Sequence, residues 1–182
     1  MFKKIDILDE KDKRLRKVSA EVVFPLSKNE KNLIQQIIDN LTYSQIEKYA
    51  KKYNLRPGMG LAFPQVAINK RVIVIVYEYD DGKFDNYVVI NPKIVSHSEE
   101  IIAADAGEGC LSVNREVEGH VKRFARVTVE GFDENGGKIK IRAREELAIA
   151  FQHEIDHLNG IIFYDHIDKK HPFITDGSIR LI

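Results

Sequence analysis

Residues 151–160 read FQHEIDHLNG and hold His153, Glu154 and His157 in the order H-E-x-x-H. Positions four apart on a helix share a face. Two imidazoles there can bind one metal ion while the glutamate between them handles a proton. The surrounding run supports a helix. From Arg144 to Leu158, apolar residues recur at Leu147, Ala148, Phe151, Ile155 and Leu158, one stripe at helical spacing. Ile149, His153 and His157 form a separate row rotated away from that stripe. The stripe can therefore seat the helix on a core while the histidines face a cleft. Asn159-Gly160 supplies a C-cap.

The rest of the chain has to build the scaffold for this helix. RVIVIVYEY (71–79) is β-branched and aromatic, DDGK (80–83) is a hairpin turn, and NYVVINPKIV (86–95) returns. A second pair follows in VKRFARVTVEGF (121–132), the turn DENGG (133–137) and KIKIRA (138–143). Upstream, Ser27 stands three residues before Glu30 in a capping-box pattern, and Leu33, Ile37, Leu41, Ile46 and Tyr49 follow. That spacing predicts a helix over about 28–50, broken by RPGMG (56–60). Residues 1–26 read as an irregular arm and SIRLI (178–182) as a short last strand. The class is α+β, mostly antiparallel, with few helices.

The bulk numbers set limits. At 182 residues the chain fits one domain, 1–182, with a real core. Apolar residues make up 43% and charged residues 31%, ordinary for a globular protein. Lys plus Arg and Asp plus Glu are both 28, so a net charge of zero argues against a dedicated nucleic-acid or membrane-surface binder. The N-terminus has no apolar signal region, and the longest apolar run, VIVIVY (72–77), falls far short of a membrane span. A single cysteine, Cys110, excludes an internal disulfide framework. A cytoplasmic protein is expected.

Two histidines do not complete a catalytic site, which usually takes three protein ligands and leaves one position open. The longer protease pattern H-E-x-x-H-x-x-G-x-x-H fails at its last position, where Phe163 stands. After Glu154 the chain has no glutamate, leaving His166, His171, Asp165, Asp168 and Asp176 as downstream donors on a polar tail. GEGCLS (107–112) offers a better one. The thiolate of Cys110 is a strong ligand for zinc or ferrous iron, and metal binding stabilises its deprotonated form. Cys110, His153 and His157 plus water make an open tetrahedral set.

Three stretches together, GMGLAFPQ (58–65), EGCLS (108–112) and QHEIDHLNG (152–160), resemble peptide deformylases. The likeness runs from LRKVSAEV (15–22) to FYDHID (163–168), and it is to the branch typical of Gram-positive bacteria and their relatives. It implies antiparallel sheets around a central metal-binding helix. It implies one divalent ion, Fe(2+) in the cell, with Zn(2+), Ni(2+) or Co(2+) able to substitute. The implied substrates are nascent peptides beginning with N-formylmethionine. The implied setting is a monomer that meets the ribosome transiently.

The chemistry can be set against the residues. A metal on Cys110, His153 and His157 lowers the pKa of its water toward ~7. Glu154 can take the water proton and pass it to the leaving amine. By resemblance, the side-chain amide of Gln65 and the backbone N–H of Leu111 stabilise the oxyanion. The peptide is then held as an added strand near Met59, Gly60 and Gly109. Ile149, one helical turn before His153, can line the methionine pocket with Met59 opposite. Asp156 can pair with Arg123, and Glu108 can fix the cysteine loop through backbone hydrogen bonds. Phe63 stands where the family pattern has a small alanine, which is expected to narrow the cleft mouth. A small metallopeptidase with a ligand from the tail, and a non-catalytic metal or redox module, are the alternatives.

Overall fold

The computed structural model describes every residue except Met1, Asp80 and Thr175. Helix α1 (Lys28–Gln45) begins where the capping box predicts it. Ser27 Oγ accepts the Glu30 N–H at 3.2 Å, and the Glu30 carboxylate accepts the Ser27 N–H at 2.8 Å. Two donors that a helix start leaves open are thereby satisfied.

The single helix predicted over 28–50 is two. Ile46 takes extended angles (φ −100°, ψ 109°), and α2 (Glu47–Tyr53) starts after it. The side chains of Ser44 and Gln45 both donate to the Leu41 carbonyl, at 2.8 and 3.3 Å, and such bonds compete with the helical ladder. α2 then ends at Asn54, in the left-handed region (φ 49°, ψ 58°), before RPGMG is reached.

Strands β1 (Gly60–Ala62), β2 (Val72–Glu78), β3 (Phe84–His97), β4 (Ile101–Ala103), β5 (Arg123–Phe124), β6 (Arg126–Phe132), β7 (Lys138–Arg144) and β8 (Arg180–Leu181) form two sheets. The larger has the order β1-β2-β3-β6-β7, antiparallel throughout. The smaller has the order β5-β4-β8, with β4 and β8 parallel. In the β2–β3 turn, the Tyr79 N–H donates to the Lys83 carbonyl at 2.8 Å; Asp80 of the predicted turn lies outside the described residues. The predicted strand 121–132 is divided. Ala125 leaves the ladder to bond the Glu100 carbonyl at 3.0 Å, so β5 and β6 belong to different sheets.

Within the larger sheet β2 is buried on both faces, which explains why it is continuously apolar, whereas β7 alternates with an exposed face. Val72, Val74 and Val76 meet Ile34, Ile37 and Leu41 of α1. Ile73 and Ile75 meet Ala148, Phe151, Ile155 and Leu158 of α3 (Glu145–Leu158), the predicted stripe. Phe63 is a correction. It is fully buried in the cluster under α1, away from the cleft mouth. It opens a 3-10 turn, Phe63–Val66, and residues two apart in such a turn point in different directions.

Phe63→Ala should therefore cost about 3–5 kcal/mol of stability in a denaturant titration, as a core truncation does; a change under about 1 kcal/mol would contradict its placement. Lys70 and Ser27 hold the Glu30 carboxyl down at about 2, against an ordinary value of 4.5. Its contribution is present above the ordinary value and lost as pH falls toward the depressed one. Glu30→Gln should cost ~1 kcal/mol at neutral pH. The gap from the native protein should narrow as pH falls below about 4.5 and close near pH 2, and a gap constant with pH would count against the capping role.

Candidate metal centre

α3 and the loop between β4 and β5 bring together the residues the sequence singles out. Ligand atoms of Cys110, His153 and His157 all lie within 4.8 Å of one another. Cys110 Sγ is 3.3 Å from His157 Nε2. His153 Nδ1 is 2.8 Å from Glu108 Oε2. An ionised carboxylate only accepts, so Nδ1 carries a proton and Nε2 is the nitrogen left to face a metal. His157 is 1% exposed, and its Nδ1 is buried without a partner. Burial, then the neighbouring His153, hold its pKa well below the ordinary value, so it is a neutral imidazole. Burial alone would lower His153 too, but the hydrogen bonds it donates to Cys110 and Glu108 outweigh it and raise this imidazole. One divalent ion would fit the donor set of one thiol and two imidazoles. Among the described residues this is the one such cluster, and His166 of the tail is engaged with Asp156 at 2.8 Å.

Glu154 is 4% exposed, and its Oε2 has no partner. Burial pushes its carboxyl up to about 7, with Glu108 adding to the rise. A carboxyl poised near neutrality both accepts and gives a proton readily. Gly60 makes room for it: a Cβ there would stand 2.8 Å from Glu154 Cγ. A Cβ at Gly58 would likewise stand 2.8 Å from Leu111 Cδ1. The G-M-G spacing therefore lets β1 pass close to both the glutamate and the cysteine loop.

Beneath the ligands lies a charged network. Arg123 donates to Glu108 through Nε at 2.7 Å and Nη2 at 3.0 Å, and to Asp156 through Nη1 at 2.6 Å. The Asp156–Arg123 pair matches expectation. Glu108 is a correction: it was expected to bond backbone, but both oxygens go to the side chains of Arg123 and His153. Its side chain is 5% exposed, and a buried carboxylate is best matched by charged donors. Burial alone would raise its pKa; His153 and Arg123 outweigh burial and hold it at about 2.

Gln65 sits in the 3-10 turn after β1, 1% exposed. Its Oε1 accepts the Ala62 N–H at 2.8 Å, so its amide nitrogen is the group aimed at Ser112 Oγ (3.1 Å) and Cys110 Sγ (3.6 Å). Ser112 and Arg56 escaped the sequence reading. The Arg56 guanidinium donates to the carbonyls of Cys110 at 2.8 Å and Val113 at 3.0 Å, clamping the cysteine loop from the side of β1. Nothing in the spacing of either residue marks it.

Above the centre opens a cleft of about 1020 Å³, lined by Met59, Gly60, Gln65, Gly109, Leu111 and Ile149, with Cys110, His153 and Glu154 also exposed to it. Ile149 is only 8% exposed, because it also packs on Ile102 and Ala125. β1 pairs with β2 alone, so its other edge is open to an added strand. The Met59 carbonyl accepts the Val76 N–H at 2.8 Å, which ties the residue before β1 to β2.

A Cys–His–His set that could hold one metal ion, beside the glutamate of an H-E-x-x-H helix, fits a mononuclear metal-dependent hydrolase centre. The polypeptide deformylase family model matches residues 4–173. Peptide deformylase 2 of Bacillus anthracis is 48% identical over 174 residues, 95% of each chain. The peptide deformylase of Listeria welshimeri is 50% identical over 167 residues, 92% of this chain and 91% of its own. Among solved structures, a plant peptide deformylase superposes with a TM-score of 0.75 at 28% identity, covering 91% of this chain and 82% of its own. A probable peptide deformylase from Synechococcus phage S-SSM7 gives 0.73 at 35% identity, covering 90% and 100%. The chain belongs to the polypeptide deformylase family. It is a metal-dependent enzyme that removes the formyl group from the amino termini of newly made polypeptides. No helix of the described residues is long and apolar enough to cross a membrane.

Glu108→Ala should weaken metal binding about 10–100-fold, as loss of a group that orients a ligand does. Competition with a chelator of known affinity measures this, and unchanged affinity would contradict the Glu108–His153 link.

Proposed function

We propose that Cys110, His153 and His157 hold the metal, that Glu154 is the proton carrier, and that Gln65 and Leu111 stabilise the oxyanion. The observation that carries this reading is the convergence of one thiol and two imidazoles within 4.8 Å, beside a buried carboxyl with an unpartnered oxygen. A divalent ion bound there supplies Lewis acidity and acidifies a water. Glu154 takes the proton from the attacking water and delivers it to the departing nitrogen as the formamide C–N bond breaks. Formate and a free α-amine result. Negative charge on the formyl oxygen meets the Gln65 amide, whose orientation is fixed through Ala62, and the backbone N–H of Leu111.

The peptide lies as an extended strand between the open edge at Gly60 and the loop at Gly109, with its methionine side chain between Ile149 and Met59. Recognition through backbone suits an enzyme that meets many sequences. The ion is Fe(2+) in the cell, with Zn(2+), Ni(2+) or Co(2+) able to take its place. The whole chain, 1–182, acts as one domain and as a monomer in the cytoplasm, with transient contact to the ribosome where its substrates emerge.

Glu154→Gln should keep its metal and lose formate release by about 10²–10⁴-fold. Gln65→Ala should lose about 10²–10³-fold in kcat. A Glu154→Gln protein of near-native turnover would remove the glutamate from the reaction.

A further inference from the structure

We propose that residues 8–10 of the N-terminal arm form a positioning strap for the oxyanion pocket, holding Gln65 and Leu111 at a fixed separation. The inference rests on the reading of Gln65 and Leu111 as the oxyanion donors. These two residues are far apart in the chain, one on the 3-10 turn after β1 and the other on the cysteine loop. The arm ties the two segments together through the main chain. The Leu8 N–H donates to the Gln65 carbonyl at 2.8 Å, and the Glu10 N–H donates to the Ser112 carbonyl at 2.7 Å. Donors two residues apart can be separated by no more than about 7 Å. This stretch of backbone therefore limits how far the Gln65 turn can drift from the residue next to Leu111.

The strap is anchored along its length. Asp9 Oδ2 accepts Asn114 Nδ2 at 2.8 Å, and Asn114 Oδ1 accepts Arg56 Nη1 at 2.9 Å. Arg56 in turn donates to the Cys110 carbonyl, so a continuous chain of hydrogen bonds runs from the arm to the cysteine loop. Glu10 takes Arg115 in a two-pronged pair, Nε at 2.8 Å and Nη2 at 3.1 Å. Before the strap, the Ile5 N–H donates to Asn40 Oδ1 of α1 at 3.1 Å, and Ile5 and Ile7 pack with Leu111 on the cluster under α1. After it, Asp12 caps a 3-10 turn, Lys13–Arg16, whose Leu15 is fully buried. The arm is thus fixed to the core on both sides of the strap.

The spacing matters to the reaction and not only to the fold. Oxyanion stabilisation depends on donors placed where charge develops, and a displacement of about 1 Å can cost on the order of 10²-fold in rate. Gln65 Nε2 reaches Ser112 Oγ at 3.1 Å, and both side chains are 1% exposed. That bond crosses the same gap, but its donor is the amide that serves the oxyanion, so the main-chain bonds of the arm carry the spacing. Leu8, Asp9 and Glu10 stand outside the wall of the cleft. They act through Gln65 and Leu111 and are positioning residues. Arg115 does line the cleft, so the test leaves it in place.

The test combines Asp9→Ala with Glu10→Ala, once in the native protein and once in Gln65→Ala, each full length and metal-loaded. Formate release from formyl-Met-Ala-Ser gives kcat and KM, and chelator competition gives metal affinity. In the native background the two substitutions should lower kcat about tenfold and leave KM and metal affinity within about twofold, because the lost placement is felt in the transition state. In the Gln65→Ala background they should lower kcat about threefold or less, since only the Leu111 donor is left to displace. If the double substitution prevents folding, each single substitution carries the test, with an expected loss in kcat of about threefold with Gln65 present and under about twofold without it. An equal fold-loss in both backgrounds, a loss confined to KM or to metal affinity, or an unchanged kcat would overturn the strap. A Gln65→Ala protein with native kcat would instead overturn the oxyanion reading beneath it.

Discussion

The Glu108 carboxylate stays ionised although its side chain is 5% exposed, because Arg123 and His153 share its two oxygens. The arrangement constrains everything around it. A buried charge with one partner removed is costly, on the order of 3–5 kcal/mol, so the three side chains stand or fall together. Through His153 the carboxylate fixes a ring and its tautomer. Through Arg123 and Asp156 it grips the last turns of α3. Because Glu108 is two residues from Cys110, the same carboxylate sets the height of the thiol against the helix. The thiol of the loop and the imidazoles of the helix are brought into register by electrostatics inside the protein.

The sheet provides the stiffness that this register needs. With α1 on one face and α3 on the other, β2 has no solvated side. The helix that carries both histidines is pressed against Ile73, Ile75, Val89 and Val129, so its rotation is set by core packing rather than by the site. β1 completes the arrangement. Its bonded edge holds it to β2 and its free edge borders the cleft, while the glycines at 58 and 60 let it approach Leu111 and Glu154. The burial that organises the glutamate also moves its pKa toward neutrality. Packing and proton chemistry therefore have one cause here.

What could be read from the sequence was whatever leaves a periodic or chemical mark. The stripe through Phe151 and Ile155, the H-E-x-x-H row and the lone cysteine just after two glycines each leave such a mark. Features that depend on competition between alternatives left no such mark. The break at Ile46 arises because Ser44 and Gln45 turn back on Leu41, which side-chain periodicity does not report. The division at Ala125 depends on a partner from β4's neighbourhood, Glu100, distant in the sequence. Phe63 was placed at the cleft by its nearness to Gln65 in the chain, but the 3-10 turn sends the two side chains in different directions. Glu108 and Arg56 act through partners 15 to 57 residues away, and only the folded chain brings these together.

The proposed ligand set of Cys110, His153 and His157 can be observed directly. Metal-free protein titrated with Co(2+) under exclusion of oxygen should bind one equivalent and develop the near-ultraviolet absorption of a thiolate–cobalt bond. Cys110→Ser should lose that band. A cobalt site that forms without thiolate absorption, or one whose spectrum is unchanged in Cys110→Ser, would contradict the ligand set and the mechanism built on it.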